Sequence, residues 1–187
     1  MKLGVVVGSV RENRAGSAIA DWFLETSRTE GSFEPVLLDL KAIDLPMLSE
    51  PDHPRLKKYT HAATKAWSAQ VEAMDAFAFV TPEYNHATPP ALVNALDSLY
   101  QEWNYKPACL VSYGGVSAGL RSAAMTKSIL TTLKVVPIVE AVAIPTFTTH
   151  LDKETGRFTG SEGLDRSAQA MLKELARWAR ALTVLRA

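Results

Sequence analysis

The feature that most constrains this chain is an alternation sustained from one end to the other. Short runs rich in Val, Leu and Ala are followed by apolar residues at helical spacing. Strands apolar on both faces belong in a parallel sheet, where helices cover each side and no face meets water. Leu3–Val7 is the first such run and ends in Gly8-Ser9. Val36–Leu40 is the second, with Asp39 near its carboxyl end, and Ala76–Thr81, Ala108–Tyr113 and Val139–Ile144 complete the set. Helices are expected over Ser17–Ser27, around Trp67, Val71 and Met74, and over Arg121–Leu133. Another is expected through Leu92, Leu96, Leu99 and Trp103, with Pro89-Pro90 suited to its first turn. The last runs along Leu164, Ala168, Met171, Leu175, Trp178 and Leu182. Right-handed crossovers are close to obligatory for such units. The stretches Ile43–Arg55 and Pro145–Gly163 read as irregular loops too short to divide the chain, so residues 1–187 are expected to form one domain.

A chain of 187 residues can bury a sufficient core without staples. Twenty Lys and Arg against twenty Asp and Glu leave no net field to draw in nucleic acid or an acidic membrane. The single cysteine, Cys109, excludes an internal disulfide framework and a multi-cysteine metal site. His53, His61, His86 and His150 are scattered without ligand spacing, so no metal is expected. The opening run is too short for a signal peptide, and no stretch approaches the roughly 20 apolar residues of a membrane span. The expected setting is cytoplasmic, with neither nucleic acid nor membrane as a partner.

In an open parallel sheet, ligands bind beyond the carboxyl ends of the strands, where the chain order reverses. Three segments fall there. Gly8–Ser17, between the first strand and first helix, offers the hydroxyls of Ser9 and Ser17 and the guanidinium groups of Arg11 and Arg14. With small residues and a helix N-terminus following, this loop suits a phosphate monoester. It is neither a Gly-x-Gly-x-x-Gly nor a Gly-x-x-x-x-Gly-Lys-Ser/Thr loop, and the plainer alternative is a polar connection in which Ser17 caps the helix. Thr81–Pro90 is stiffened by prolines and sets Tyr84 beside Asn85, an aromatic face next to an amide, as a planar heterocycle requires. Ser112–Gly119 carries Gly114, Gly115 and Gly119, which permit close backbone approach to a ligand.

Together these segments resemble the NADPH-dependent FMN reductase family, of the azo, quinone and chromate reductase type. The likeness runs from Gly8 to about Pro145 through Gly-Ser-Val-Arg, Leu45-Pro46-Met47-Leu48, Pro82-Glu83-Tyr84-Asn85, Asn94-Ala95-Leu96-Asp97 and Ser112-Tyr113-Gly114-Gly115. It implies a flavodoxin-like α/β three-layer sandwich, with a five-stranded parallel sheet in the order 2-1-3-4-5 and helices on both faces. It further implies FMN as cofactor and NADPH or NADH as transient co-substrate. Carried over by position, Ser9, Arg11, Arg14, Gly16 and Ser17 would take the FMN phosphate. Pro82, Glu83, Tyr84 and Asn85 would line the isoalloxazine and ribityl edge, with Ser112, Tyr113, Gly114 and Gly115 on the ring's other side. Family members often carry a second glycine pair where this chain has Ala118-Gly119, which weakens Gly119 as a contact.

The implied activity is oxidoreduction: two electrons pass by ping-pong from a nicotinamide, through bound FMN, to quinones, azo compounds, metal oxyanions or free flavin. The cofactor carries that chemistry, so no catalytic side chain is named. The alternatives are a non-enzymatic electron carrier, which the balanced charge disfavours, and a flavin-based redox sensor. The resemblance also implies a homodimer or homotetramer, with Tyr100 and Trp103 at the subunit interface; the plainer alternative is that they pack in the core. Cys109, in a strand, reads as an inert small hydrophobe.

Overall fold

The structure, a computed structural model, describes residues 1–186. In chain order its elements are β1 (Lys2–Val7), α1 (Gly16–Glu30), β2 (Glu34–Asp39), α2 (Leu40–Ile43), α3 (Ala62–Glu72), β3 (Ala76–Pro82), α4 (Pro90–Asp97), β4 (Pro107–Tyr113), α5 (Leu120–Thr132), β5 (Val136–Ile144) and α6 (Glu162–Ala181). The strands form one five-stranded sheet in the order β2-β1-β3-β4-β5, and every neighbouring pair is parallel. The flavodoxin-like order expected from the sequence is the observed one. β3 and β4 are buried at every residue, which is why their sequences show no polar alternation.

Two apolar layers follow from the period-2 pleat. Leu3, Val5, Val7, Ala78, Val80, Cys109 and Val111 face α1 and α6 on one side. Val6, Phe77, Phe79, Ala108 and Leu110 face α3, α4 and α5 on the other. The Cys109 thiol lies inside the first layer, where burial pushes it well above its usual range.

The structure corrects three expectations. The Leu92–Trp103 stripe is not one helix: α4 stops at Asp97, and Gln101–Trp103 is a separate 3-10 turn. Trp103 is fully buried in the chain's own core rather than at a subunit face. Its ring stands edge-on to Trp67 and Phe77 at 5.9 and 4.8 Å, and its Nε1 donates to the Leu96 carbonyl at 3.2 Å. The fifth strand begins earlier than Val139, at Val136, because Pro137 is tolerated on an edge strand; a register shift there leaves Val139 exposed.

The irregular stretch after α2 is fixed in place by remote side chains. Asn94 accepts from the Leu48 amide at 2.8 Å and donates to the Pro46 carbonyl at 2.9 Å. Glu50 accepts from the amides of Thr60 and His61, just ahead of α3, at 2.7 and 3.0 Å. Burial alone would raise its carboxyl, but these bonds outweigh burial and bring it down to about 2. At the other end of α3, the Lys106 ammonium donates to the Val71 and Glu72 carbonyls at 2.8 and 3.0 Å. Burial lowers that ammonium to about 8.

If Trp103 is core, Trp103→Ala should lower unfolding stability by about 3–5 kcal/mol, the usual range for a buried large aromatic. Urea unfolding measures it, and a loss under about 1 kcal/mol would return Trp103 to the surface.

Candidate functional site: a cavity at the strand ends

Because all strands are parallel, Val7, Pro82, Tyr113 and Ile144 end on one edge of the sheet. The chain crosses from β1 outward to β2, then back past β1 to β3, so the β1/β3 boundary is the switch point. A cavity of about 660 Å³ opens there. Ser9, Arg11, Arg14 and Ser17 line one end; Pro82, Glu83, Tyr84, Tyr113, Gly114 and Gly115 line the rest. A neighbouring depression of about 690 Å³, between α1 and Thr155–Phe158, shares Ser17, Ala18 and Gly156 with it. Its other charged side chains, Asp21, Glu25, Arg28 and Arg157, are mixed in sign and exposed, so the convergent chemistry lies in the first cavity.

The first cavity's closed end is made of donors. The residue ahead of α1 is Ala15, which has no side chain to cap the helix. Ser17 lies inside the first turn and donates to the Arg14 carbonyl at 3.2 Å, so it is not the cap that one reading of the sequence allowed. The first-turn amides of α1 therefore lack a partner within the helix and carry the positive end of its dipole. Gly16 fits here because a Cβ would stand 2.6 Å from the Tyr113 hydroxyl. One Nη of Arg14 pairs with Asp39 at the end of β2, while its Nε is buried without a partner. Arg11 is exposed, 5.7 Å from the Tyr84 ring centroid. An uncapped helix start, hydroxyls, an unpaired buried guanidinium N–H and a free guanidinium fit a phosphate monoester.

Two further loops form the open end. Tyr84 and Ala87 exchange backbone hydrogen bonds of 3.0 Å in a tight turn, with Asn85 and His86 at positive φ. Glu83 is tied to α5: its carboxylate accepts from the Arg121 amide and guanidinium, both at 3.0 Å. Burial pushes the Glu83 carboxyl up, but Arg121 outweighs burial and holds it below its ordinary value. Buried hydroxyls complete the attachment, with Thr81 Oγ1 and Ser122 Oγ at 3.0 Å and Thr88 donating to the Ser122 carbonyl at 3.1 Å. Facing this turn, Gly119 caps α5 at φ 75°, where a Cβ would lie 2.7 Å from the Tyr113 carbonyl. Its role is to let the loop fold back on β4.

Burial, and Tyr84 behind it, push the Tyr113 phenol upward, so it stays neutral. Its ring stands edge-on to Phe147 at 5.4 Å. Of the positions expected from the sequence, Ser9, Arg11, Arg14, Ser17, Pro82, Glu83, Tyr84, Tyr113, Gly114 and Gly115 line the cavity. Gly16 sits behind its wall, Ser112 is buried within β4, and Asn85 is exposed at the turn. Asn13 and Ala15, in the loop already assigned to the site, and Ala18 also line it, as do Phe147, Leu151 and Gly156, which were not anticipated. The last three follow β5, whose carboxyl end opens on the same side, a position that the parallel arrangement itself singles out.

A family model described as NADPH-dependent FMN reductase matches residues 1–149. An NAD(P)H-dependent FMN reductase of Schizosaccharomyces pombe is 41% identical over 148 residues, covering 77% of this chain and 74% of its own length. A 2-hydroxy-1,4-benzoquinone reductase of a Burkholderia species is 29% identical, over 68% of this chain and 67% of that one. Among solved structures, a flavoenzyme NAD(P)H:(acceptor) oxidoreductase of Paracoccus denitrificans shares the fold with a TM-score of 0.76 and 23% identity, covering 96% of this chain and 97% of that one. The chain belongs to the NADPH-dependent FMN reductase family and is an oxidoreductase that works with FMN and a reduced nicotinamide.

Proposed function

We propose that this protein transfers two electrons by ping-pong from NADH or NADPH to small acceptors: quinones, azo compounds, metal oxyanions or free flavin. The observation that carries the reading is a cavity lined with donors at one end and walled at the other by the loops after β3 and β4. FMN held there would supply the redox chemistry, a two-electron exchange between the nicotinamide and the acceptor.

The chain's own residues bind and orient. Ser9, Arg11, Ser17 and the first amides of α1 hold the phosphate, with Gly16 leaving room and Arg14 steadying the loop through Asp39. Pro82, Glu83, Tyr84 and Asn85 set the ring and ribityl edge through a turn that α5 immobilises. Ser112, Tyr113, Gly114 and Gly115 form the opposite wall, in which Ser112 acts as strand core beneath the glycines. One donor-lined end serves one phosphate, so the nicotinamide and an aromatic acceptor share the open face and exclude each other. Stacking is tolerant of ring chemistry, which favours a broad acceptor range, and the similarity to the Burkholderia quinone reductase points the same way.

The working unit in this reading is a homodimer or homotetramer. Val116 is exposed on the loop before α5, Leu120 and Met125 on that helix, Val10 on the loop after β1 and Met47 on the stretch after α2. Apolar side chains left in water around a site mark a surface for another chain.

Stopped-flow mixing of the holoprotein with NADPH or NADH should bleach the flavin without acceptor, and a quinone should then restore it. Initial-rate lines with both substrates varied should be parallel. Intersecting lines would refute ping-pong, and no bleaching by either nicotinamide would refute the donor assignment. Sedimentation at micromolar concentration should give two or four chains, whereas a fully active monomer would remove the oligomer.

A further inference from the structure

The cavity and the depression beside it are kept apart by Ser17 and Ala18 on α1 and by Gly156, the three residues that border both. Gly156 belongs to an arm, residues 151–158, that follows β5 and also brings Leu151 into the cavity wall. The arm lies beyond residues 1–149, the stretch matched to the family, so its role is read from its own contacts.

Those contacts hold it in one shape. Leu151 and Phe158 form an antiparallel bridge. Inside that bridge the Asp152 amide donates to the Arg157 carbonyl at 2.8 Å, and the Gly156 amide donates to the Asp152 carbonyl at 2.9 Å. One Asp152 carboxylate oxygen accepts from the Glu154 amide at 3.1 Å, and from the Thr155 amide and hydroxyl, both at 2.7 Å. Gly156 takes φ 69°, a left-handed turn conformation that glycine adopts without strain. The base of the arm is anchored to two helices. Buried Phe158 stands edge-on to Trp22 of α1 at 5.3 Å, and Trp22 Nε1 donates to Asp165 of α6 at 2.8 Å. The Gly156 backbone is therefore held in place beside the first turn of α1.

We infer that this arm makes the site select a flavin that ends in a phosphate monoester. FMN stops at the donor-lined end, whereas FAD continues through a second phosphate to adenosine. That extension has to pass between α1 and Gly156. The depression beyond, about 690 Å³, is within the size range of small-ligand sites, so the bar to FAD is the ridge and not a lack of room. The inference rests on the proposed placement of FMN in the cavity, with its phosphate at that end.

The test is calorimetric titration of the apoprotein with FMN and, separately, FAD. The wild-type chain should prefer FMN by at least about tenfold. Replacing residues 152–157 by Asn-Gly, a two-residue turn suited to joining the bridged Leu151 and Phe158, removes the ridge and should bring the two affinities within about threefold. No preference in the wild-type chain, or an undiminished preference in the shortened one, overturns the inference. If the shortened chain does not fold, tryptic digestion of the unaltered protein decides. Saturating FMN should slow cleavage after Lys153 and Arg157 by at least about threefold, with cleavage after exposed Lys58, away from the cavity, unchanged. FAD at the same concentration should leave the arm as exposed as in the flavin-free protein. Protection by FAD, or none by FMN, overturns the inference. If FMN binds without preference over FAD, the role of the arm alone fails. If neither flavin binds the wild-type chain, the cofactor placement fails and the role of the arm with it.

Discussion

The first-turn amides of α1 have no partner within their own helix, and the site is organised around that fact. Ser, Thr, Asp and Asn are the preferred residues at a helix start, whereas this one, without a side-chain cap like α3, α4 and α5, begins behind Ala15 with a glycine at the first position. Helix-start N–H groups that no side chain caps are free to bind water or an anion, and the helix dipole favours the anion. Everything near it supplies donors or makes room. Asp39 takes one edge of Arg14, leaving its buried Nε for another acceptor, and Tyr113 occupies the space that a side chain at Gly16 would have claimed. Exposed Glu12 pairs with Lys41 at 2.7 Å, which keeps that carboxylate's charge partnered.

The open end answers to a different demand. A flat ring needs a rigid edge and walls without bulk, and the turn at Tyr84–Ala87 is made rigid from outside. Glu83 holds the start of α5, and Thr81, Ser122, Thr88 and Thr126 form a buried chain of hydroxyl contacts behind it. Such a network fixes geometry more than it adds stability, since each neutral bond contributes only about 0.5–1.5 kcal/mol net. The loops after β1 and β3 meet where the Ser9 and Tyr84 hydroxyls lie 2.6 Å apart.

Much of this was legible in the residues. β1, β3 and β4 read cleanly because a strand buried on both faces has no competing polar pattern. The loops at their ends stood out because Ser9, Arg11, Pro82 and Gly114 are unusual between buried elements. Helix phasing failed at Leu92–Trp103, since three- and four-residue spacing continues across the break at Ser98–Tyr100; the spacing is preserved while the axis is not. The family resemblance favoured a subunit interface for Trp103 over core packing, and only the tertiary contacts with Trp67 and Phe77 show it as core. The pairing of Arg14 with Asp39 was equally hidden, because parallel neighbours β1 and β2 bring together residues far apart in the chain. Phe147, Leu151 and Gly156 reach the cavity from a stretch whose local signals spoke only of turns.

The central claim is that the closed end holds a doubly charged phosphate among donors. Phosphorus NMR of FMN bound to the protein tests it directly across pH. A free phosphate monoester exchanges its second proton near pH ~6. In the proposed placement, the uncapped start of α1, with Arg11 and the hydroxyls of Ser9 and Ser17, would favour the dianion and lower that value in the bound state. The phosphorus resonance of the bound cofactor should therefore stay flat from about pH 8 down to about pH 5, while free FMN shifts. A bound resonance that titrates at the free value would mean that the phosphate sits in solvent, and the donor-lined end would not be its site.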